Sequence, residues 1–181
     1  MVLYAGKSTK KKPIFPSRSP FKAIFELNFL IMLFSIKRTN SANPDFIELV
    51  KHLDLELAKI DGDEHSFYAQ YNKVDKIKHV VLIYDEDKPI ACGAIKELSP
   101  AAMEVKRMFT KPELRGKGVA SILLKELETW AKELGYENCI LETGKRQQDA
   151  VALYQKNGYD VISNYGQYIG VENSICFEKT L

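Results

Sequence analysis

Metal-ligand patterns, disulfide patterns and membrane-length apolar runs are all missing from this sequence of 181 residues. Its three cysteines, Cys92, Cys139 and Cys176, are an odd number, each inside an apolar, strand-like run, with no CxxC pair and no Cys/His ligand spacing. They read as reduced core thiols, which points to a reducing compartment such as the cytoplasm and to chemistry without a metal. The three histidines, His52, His65 and His79, are equally scattered. The most apolar stretch, Ala23 to Ile36, is too short for a spanning helix and is broken by Glu26 and Asn28, so no stable membrane insertion is expected. No small-x-small cleavage site follows it before Pro44, which argues against a secretion signal. There is no internal repeat. With 45% apolar and 28% charged residues the composition is that of a globular protein, not of a disordered, collagenous or multispanning one, and the length suits one domain.

Acidic residues are absent from the first 25 positions. Lys7, Lys10, Lys11, Lys12, Arg18 and Lys22 are cations there, leaving 20 Lys and Arg against 24 Asp and Glu in the remainder. The formal net charge of +2 therefore averages a basic tail and a body near −4, and it does not indicate a nucleic-acid surface. Pro13, Pro16 and Pro20 block regular structure in the tail. Residues 1–31 read as an N-terminal extension: a poorly ordered tail, an organellar targeting segment, a membrane-contacting segment, or translation from upstream of a start at Met32. Residues 32–181 form the expected single domain.

Residues 33–39 make a plausible first strand, and Asn43-Pro44-Asp45 opens a helix with a cap and a proline in its first turn. Phe46, Leu49, Val50 and Leu53 then recur at helical spacing until the turn at Asp61-Gly62-Asp63. The polar, aromatic stretch through Tyr71 and Asn72 is a second short helix or a loop. Residues 79–84 and 90–95 flank a polar tip and predict a hairpin, with a further strand over 103–109. Val119, Leu123, Leu127, Trp130 and Leu134 carry the clearest helical period in the chain, closed by Gly135. A buried strand over 138–143, a shorter helix holding Ala150, Leu153 and Tyr154 and stopped at Asn157-Gly158, and strands over 159–162 and 174–178 complete an α/β domain with a mixed sheet.

The chemistry lies in Arg115-Gly116-Lys117-Gly118-Val119-Ala120, between a strand and the start of a helix. Two glycines let a ligand approach the backbone, the unpaired amides of the first helical turn point outward, and the helix dipole favours an anion there. Arg115 and Lys117 add positive charge. The loop suits a phosphate or pyrophosphate, yet it is neither a Walker loop nor a dinucleotide fingerprint, which would need glycine or alanine where Ser121 stands. The plain structural reading of the same residues is a glycine-rich turn with solvated charges.

The run from Met108 to Ala120 resembles the acyl-CoA motif of the GNAT-type N-acetyltransferases, Arg/Gln-x-x-Gly-x-Gly/Ala, at Arg115, Gly118 and Ala120. Leu141-Glu-Thr-Gly144, Ala150-Val-Ala-Leu-Tyr154 and Lys156-Asn-Gly-Tyr159 resemble the strand, helix and Gly-aromatic turn that follow in that family, so the likeness covers residues 33–181. It implies a mixed, mostly antiparallel central sheet flanked by helices, and acetyl-CoA as cosubstrate with no metal. The main chain of Met108, Phe109 and Thr110 would pair with the pantetheine arm, and residues Arg115 to Ala120 would hold the pyrophosphate by their amides. Gln147 stands where many relatives carry an asparagine facing the cofactor. A bulge in the strand around Met108 to Thr110, which the sequence does not reveal, would splay its neighbour and leave an amide as oxyanion donor.

Acyl transfer from a thioester to an amine needs a neutral amine, donors for the oxyanion and a proton for the thiolate. Tyr154 aligns with the family tyrosine that donates to the CoA sulfur, and a phenol of ordinary pKa near ~10 stays protonated until then. Packing between helix and sheet would equally explain it. For the base, Glu104 is the first candidate and Glu142, on the adjoining strand, the second; either could equally be a strand carboxylate facing solvent or an anion that positions the acceptor. The acceptor, a small-molecule or peptide amine, would be framed by residues 61–68 and 163–168, where Asp61, Asp63, Glu64, Tyr68, Tyr71, Tyr165 and Tyr168 offer anionic and aromatic contacts. Asp61-Gly-Asp lacks the ligand ladder of an EF-hand. The resemblance thus implies an N-acetyltransferase acting through a ternary complex. The alternative is a noncatalytic acyl-CoA-binding or regulatory module, and a homodimer is compatible with either.

Overall fold

The computed structural model describes residues 34–70 and 77–181. The basic tail, and Tyr71 and Asn72, lie outside the described residues. Among these residues no helix is long and apolar enough to cross a membrane.

The local signals that punctuate the sequence set the element boundaries. The Asn43 side chain accepts from the Asp45 amide at 2.9 Å and Pro44 fills the first turn, starting α1 (Pro44–Asp61). A 3-10 turn over Gly62–Glu64 leads into a short α2 (His65–Ala69). Strands β1 (Phe34–Thr39), β2 (His79–Asp85), β3 (Lys88–Ser99) and β4 (Ala102–Thr110) form an antiparallel meander, with β3 longer at both ends than the apolar run 90–95 indicates. Helix α3 (Val119–Glu133) leads to β5 (Asn138–Gly144), and α4 (Gln148–Lys156) leads to β6 (Asp160–Ile162) and β7 (Ser174–Thr180).

The seven strands make one sheet in the order β1-β2-β3-β4-β5-β7-β6, antiparallel except where β4 meets β5. One face packs against α3 and α4 through Ile95, Met103, Leu123, Leu127 and Phe177, and the other against α1 through Phe46, Leu49, Val80, Leu82 and Phe109. Cys92, Cys139 and Cys176 are buried, and burial pushes the Cys92 and Cys139 thiols up to about 12. The expected α/β architecture and its element order are both present.

The sheet is interrupted at its centre. β4 and β5 pair only at Ala102, Met103 and Glu104 against Asn138, Cys139 and Ile140, after which no ladder joins them. On the other side of β4 the register against β3 slips between Cys92 and Ala94, so that the extra residue of a bulge lies opposite Gly93. Arg107 takes φ +58° there, a conformation that costs an L-residue on the order of 1 kcal/mol. Its guanidinium is held by Asp54 of α1, and Cys92 Sγ donates to its carbonyl at 3.6 Å. Gly93 makes the crowding tolerable, because a Cβ there would lie 2.6 Å from Met108 Sδ and 2.9 Å from Leu127.

Candidate active site

The parted strands form the floor of a cleft of about 830 Å³, with α1 along one side and the start of α3 and the inner face of α4 along the other. Residues Val105 to Thr110 line it, and their stretch of β4 has no β5 partner, which is the arrangement an added extended chain would use. At one end the chain turns through Gly116 and Gly118, at φ +73° and +88°, into α3. Hydrogen-bonded turns stop at the Arg115 amide to Pro112 and resume at the Ser121 amide to Gly118. Between them the amides of residues 116–120 have no backbone acceptor among the described residues. These donors fit a pyrophosphate.

Of the residues singled out for this loop, Arg115, Gly116, Gly118, Val119 and Ala120 line the cleft, whereas Lys117 is exposed outside it. Arg115 turns toward the protein: Nε donates to the Thr110 carbonyl at 2.9 Å and NH2 to Glu56 of α1. Lys156 also lines the cleft and has no ion pair among the described residues, a cation that motif reading did not single out. Asn157 donates to Ser121 Oγ at 3.1 Å and fixes the end of α4 against the start of α3. Gln147 stands at the N-cap of α4 and lines the cleft.

Tyr154 reaches the middle of the cleft from α4. Its ring packs on Tyr159 and Phe177, 5.8 Å between centroids in each case, and its hydroxyl makes no hydrogen bond among the described residues. Burial, reinforced by the nearby Glu142 charge, raises its pKa above the ordinary phenol value. Glu142 projects from β5 into the same space, and burial pushes its carboxyl up to about 7, against the opposing pull of a 2.6 Å hydrogen bond from Ser174 and the charge of Lys106. Tyr68 of α2 reaches the same Ser174 hydroxyl, oxygen to oxygen 3.3 Å. Glu104 is placed differently. It is 7% exposed, accepts from Tyr165 and Lys106 at 3.0 Å each, and does not line the cleft. Tyr68 and Asp61 line the acceptor end, while Tyr165 stacks edge-on against Tyr168 behind Glu104.

Comparison with known proteins gives the family and the fold. Residues 43–159 match the model of the acetyltransferase (GNAT) family. The chain is 29% identical over 149 residues to an IAA acetyltransferase of Azospirillum brasilense, covering 81% of this chain and 97% of that one. It is 30% identical over 129 residues to an uncharacterized N-acetyltransferase of Bacillus subtilis (strain 168), covering 70% and 77%. A crystal structure from Klebsiella pneumoniae, named as an acyl-CoA N-acyltransferase, superposes with TM-score 0.69 at 27% identity over 82% of this chain and 98% of that one. A GNAT family acetyltransferase from Elizabethkingia anophelis with acetyl-CoA bound has the same fold, with TM-score 0.60 at 19% identity over 82% and 99%.

Proposed function

The chain belongs to the acetyltransferase (GNAT) family and is an acyltransferase, and from that premise we propose that it moves the acetyl group of acetyl-CoA to a primary amine by direct attack in a ternary complex. The observation that carries this reading is the convergence of two groups on one cleft: the unpartnered hydroxyl of Tyr154 and the Glu142 carboxyl at about 7.

The amides of residues 116–120 hold the pyrophosphate, with Lys156 adding a cation, and the open edge of β4 from Val105 to Thr110 aligns the pantetheine arm. Acetyl-CoA supplies the activated acyl group. Glu142 takes the first proton of the bound ammonium, directly or through water, and a carboxyl that titrates near neutrality is matched to that task. The amine nitrogen then bonds to the thioester carbon, and a β4 amide beside the Arg107 bulge receives the oxyanion. As the carbon–sulfur bond breaks, Tyr154 donates its proton toward sulfur. It recovers one from the nitrogen, which must lose its second proton to become an amide. The net products are the acetylated amine, CoA thiol and one proton released to solvent.

Geometry favours Glu142 over Glu104 as the base, because the Glu104 oxygens already serve Lys106 and Tyr165. Glu104 then acts as the anion that holds these two. A noncatalytic acyl-CoA-binding module would have no use for a buried carboxyl and a free phenol lining one cleft. The test is thiol release from acetyl-CoA across a panel of primary amines. Acceptor-dependent release, lost in Tyr154→Phe and Glu142→Gln, is expected; binding without acceptor-dependent release would replace the transferase reading with the binding-module one.

A further inference from the structure

The cations and anions of the acceptor end divide unevenly. Lys106 pairs with Glu104 at 3.0 Å, Arg107 with Asp54 and Arg146 with Glu64 at 3.1 Å. Among the described residues these three cleft-lining cations are thus matched. Three cleft-lining carboxylates, Asp61, Glu142 and Asp149, have neither lysine nor arginine within ion-pair distance among the described residues; Asp149 lies in the first turn of α4, and Asp61 and Glu142 remain for the acceptor.

Asp61 is in an unfavourable place for a carboxylate. It is the last residue of α1, where the helix dipole disfavours an anion, and it is only 4% exposed. It does not cap the helix, a role taken by the Gly62 amide donating to the Ala58 carbonyl. Its nearest partner is His65 Nδ1 at 3.6 Å, too long for a hydrogen bond, and that nitrogen is itself buried without one. What Arg146 grips is the Asp61 backbone carbonyl, at 3.2 Å, not the side chain. Burial raises the Asp61 carboxyl above its ordinary value against the pull of His65 and of the Arg146 charge, so a buried acid set against the dipole and lining a cleft, with a histidine as its side-chain partner, gains from a ligand cation.

Resting on the transferase reading, we infer that the acceptor is an aliphatic di- or polyamine, whose reacting amine meets Glu142 while a second ammonium is held by Asp61. Leu57 and Ile60 of α1 and the ring of Tyr68 line the cleft beside Asp61 and suit the methylene arm and a cation over an aromatic face. A monoamine would satisfy Glu142 and leave Asp61 with His65.

The experiment measures kcat/KM by thiol release with putrescine, cadaverine and spermidine against n-butylamine and n-amylamine, in the full chain. A charge-assisted contact predicts a preference of about 10-fold or more for the diamines over monoamines of equal length. Asp61→Asn should cut that ratio by a similar factor, and raising the salt concentration should reduce it in the wild-type chain. Equal turnover of diamine and monoamine by the wild-type chain would overturn the inference and leave the transferase intact, and so would an unchanged ratio in a folded Asp61→Asn protein. No acceptor-dependent release from any amine would overturn the transferase reading itself. The wild-type ratio and its salt dependence decide the matter even where Asp61→Asn does not fold.

Discussion

Arg115 and Glu56 close the cleft from opposite walls, with Arg115 NH2 donating to the two carboxylate oxygens at 2.9 and 2.6 Å across 59 residues of sequence. The same guanidinium lies 5.7 Å from the Phe109 ring centroid and holds the Thr110 carbonyl. The most conspicuous cation of the phosphate loop is therefore spent on fastening that loop to α1, which leaves the main-chain amides to meet the anion.

This arrangement separates two kinds of substitution. Both partners are substantially exposed, so the pair is worth at most about 1 kcal/mol, and Arg115→Gln should weaken acetyl-CoA binding by no more than about 5-fold. Gly118→Val is different: at φ +88° a β-branched residue is strained and the turn that aims the amides is lost. Isothermal titration with acetyl-CoA should show at least a 10-fold loss for Gly118→Val, and the reverse ranking would mean that the Arg115 side chain itself binds the phosphate.

Tyr154→Phe removes a hydroxyl that has no hydrogen-bond partner among the described residues, so stability and acetyl-CoA affinity should change little. Turnover should fall by about 10²-fold or more, the usual contribution of a positioned acid. Turnover equal to the wild type would reduce Tyr154 to a packing residue.

Glu142 must be ionised to accept a proton, so kcat/KM should rise with pH through about 7 and level off above it. Glu142→Gln should abolish that limb and Glu104→Gln should keep it. If the limb disappears with Glu104→Gln alone, the base is Glu104, acting through a rearranged cleft.

The same carboxyl affects stability in the opposite sense from an ion-paired acid. Its folded value of about 7 lies above its ordinary one. Between them the folded state binds more protons, so stability falls as pH rises through that window and is retained only below it. Thermal melts of Glu142→Gln against wild type should therefore diverge in the mutant's favour between about pH 4 and 7. Parallel curves would show that Glu142 is not desolvated.

Gly93→Ala should destabilise by roughly 1–3 kcal/mol in chemical denaturation, since the added methyl overlaps Met108 and Leu127 opposite the bulge. Met108→Ala in the same chain should recover part of the loss.

The elements and the phosphate loop are legible along the chain, because both are written in short-range chemistry. Asn43 and Pro44 start α1, the period through Val119, Leu123 and Leu127 builds α3, and two positive-φ glycines shape the turn before it. Tyr154 was legible only through its place in a family motif. Which charges are free depends on how the elements pack. Glu104 and Glu142 look equivalent on adjoining strands, but the β4 bulge and the parting of β5 leave Glu142 in the cleft while Lys106 and Tyr165 occupy Glu104. Arg115 reads as a phosphate ligand until α1 brings Glu56 against it, and Asp61 reads as part of a polar turn until folding buries it beside Tyr68. Pairing of charges across 50 to 100 residues depends on how helices lie on the sheet, and no local pattern encodes that.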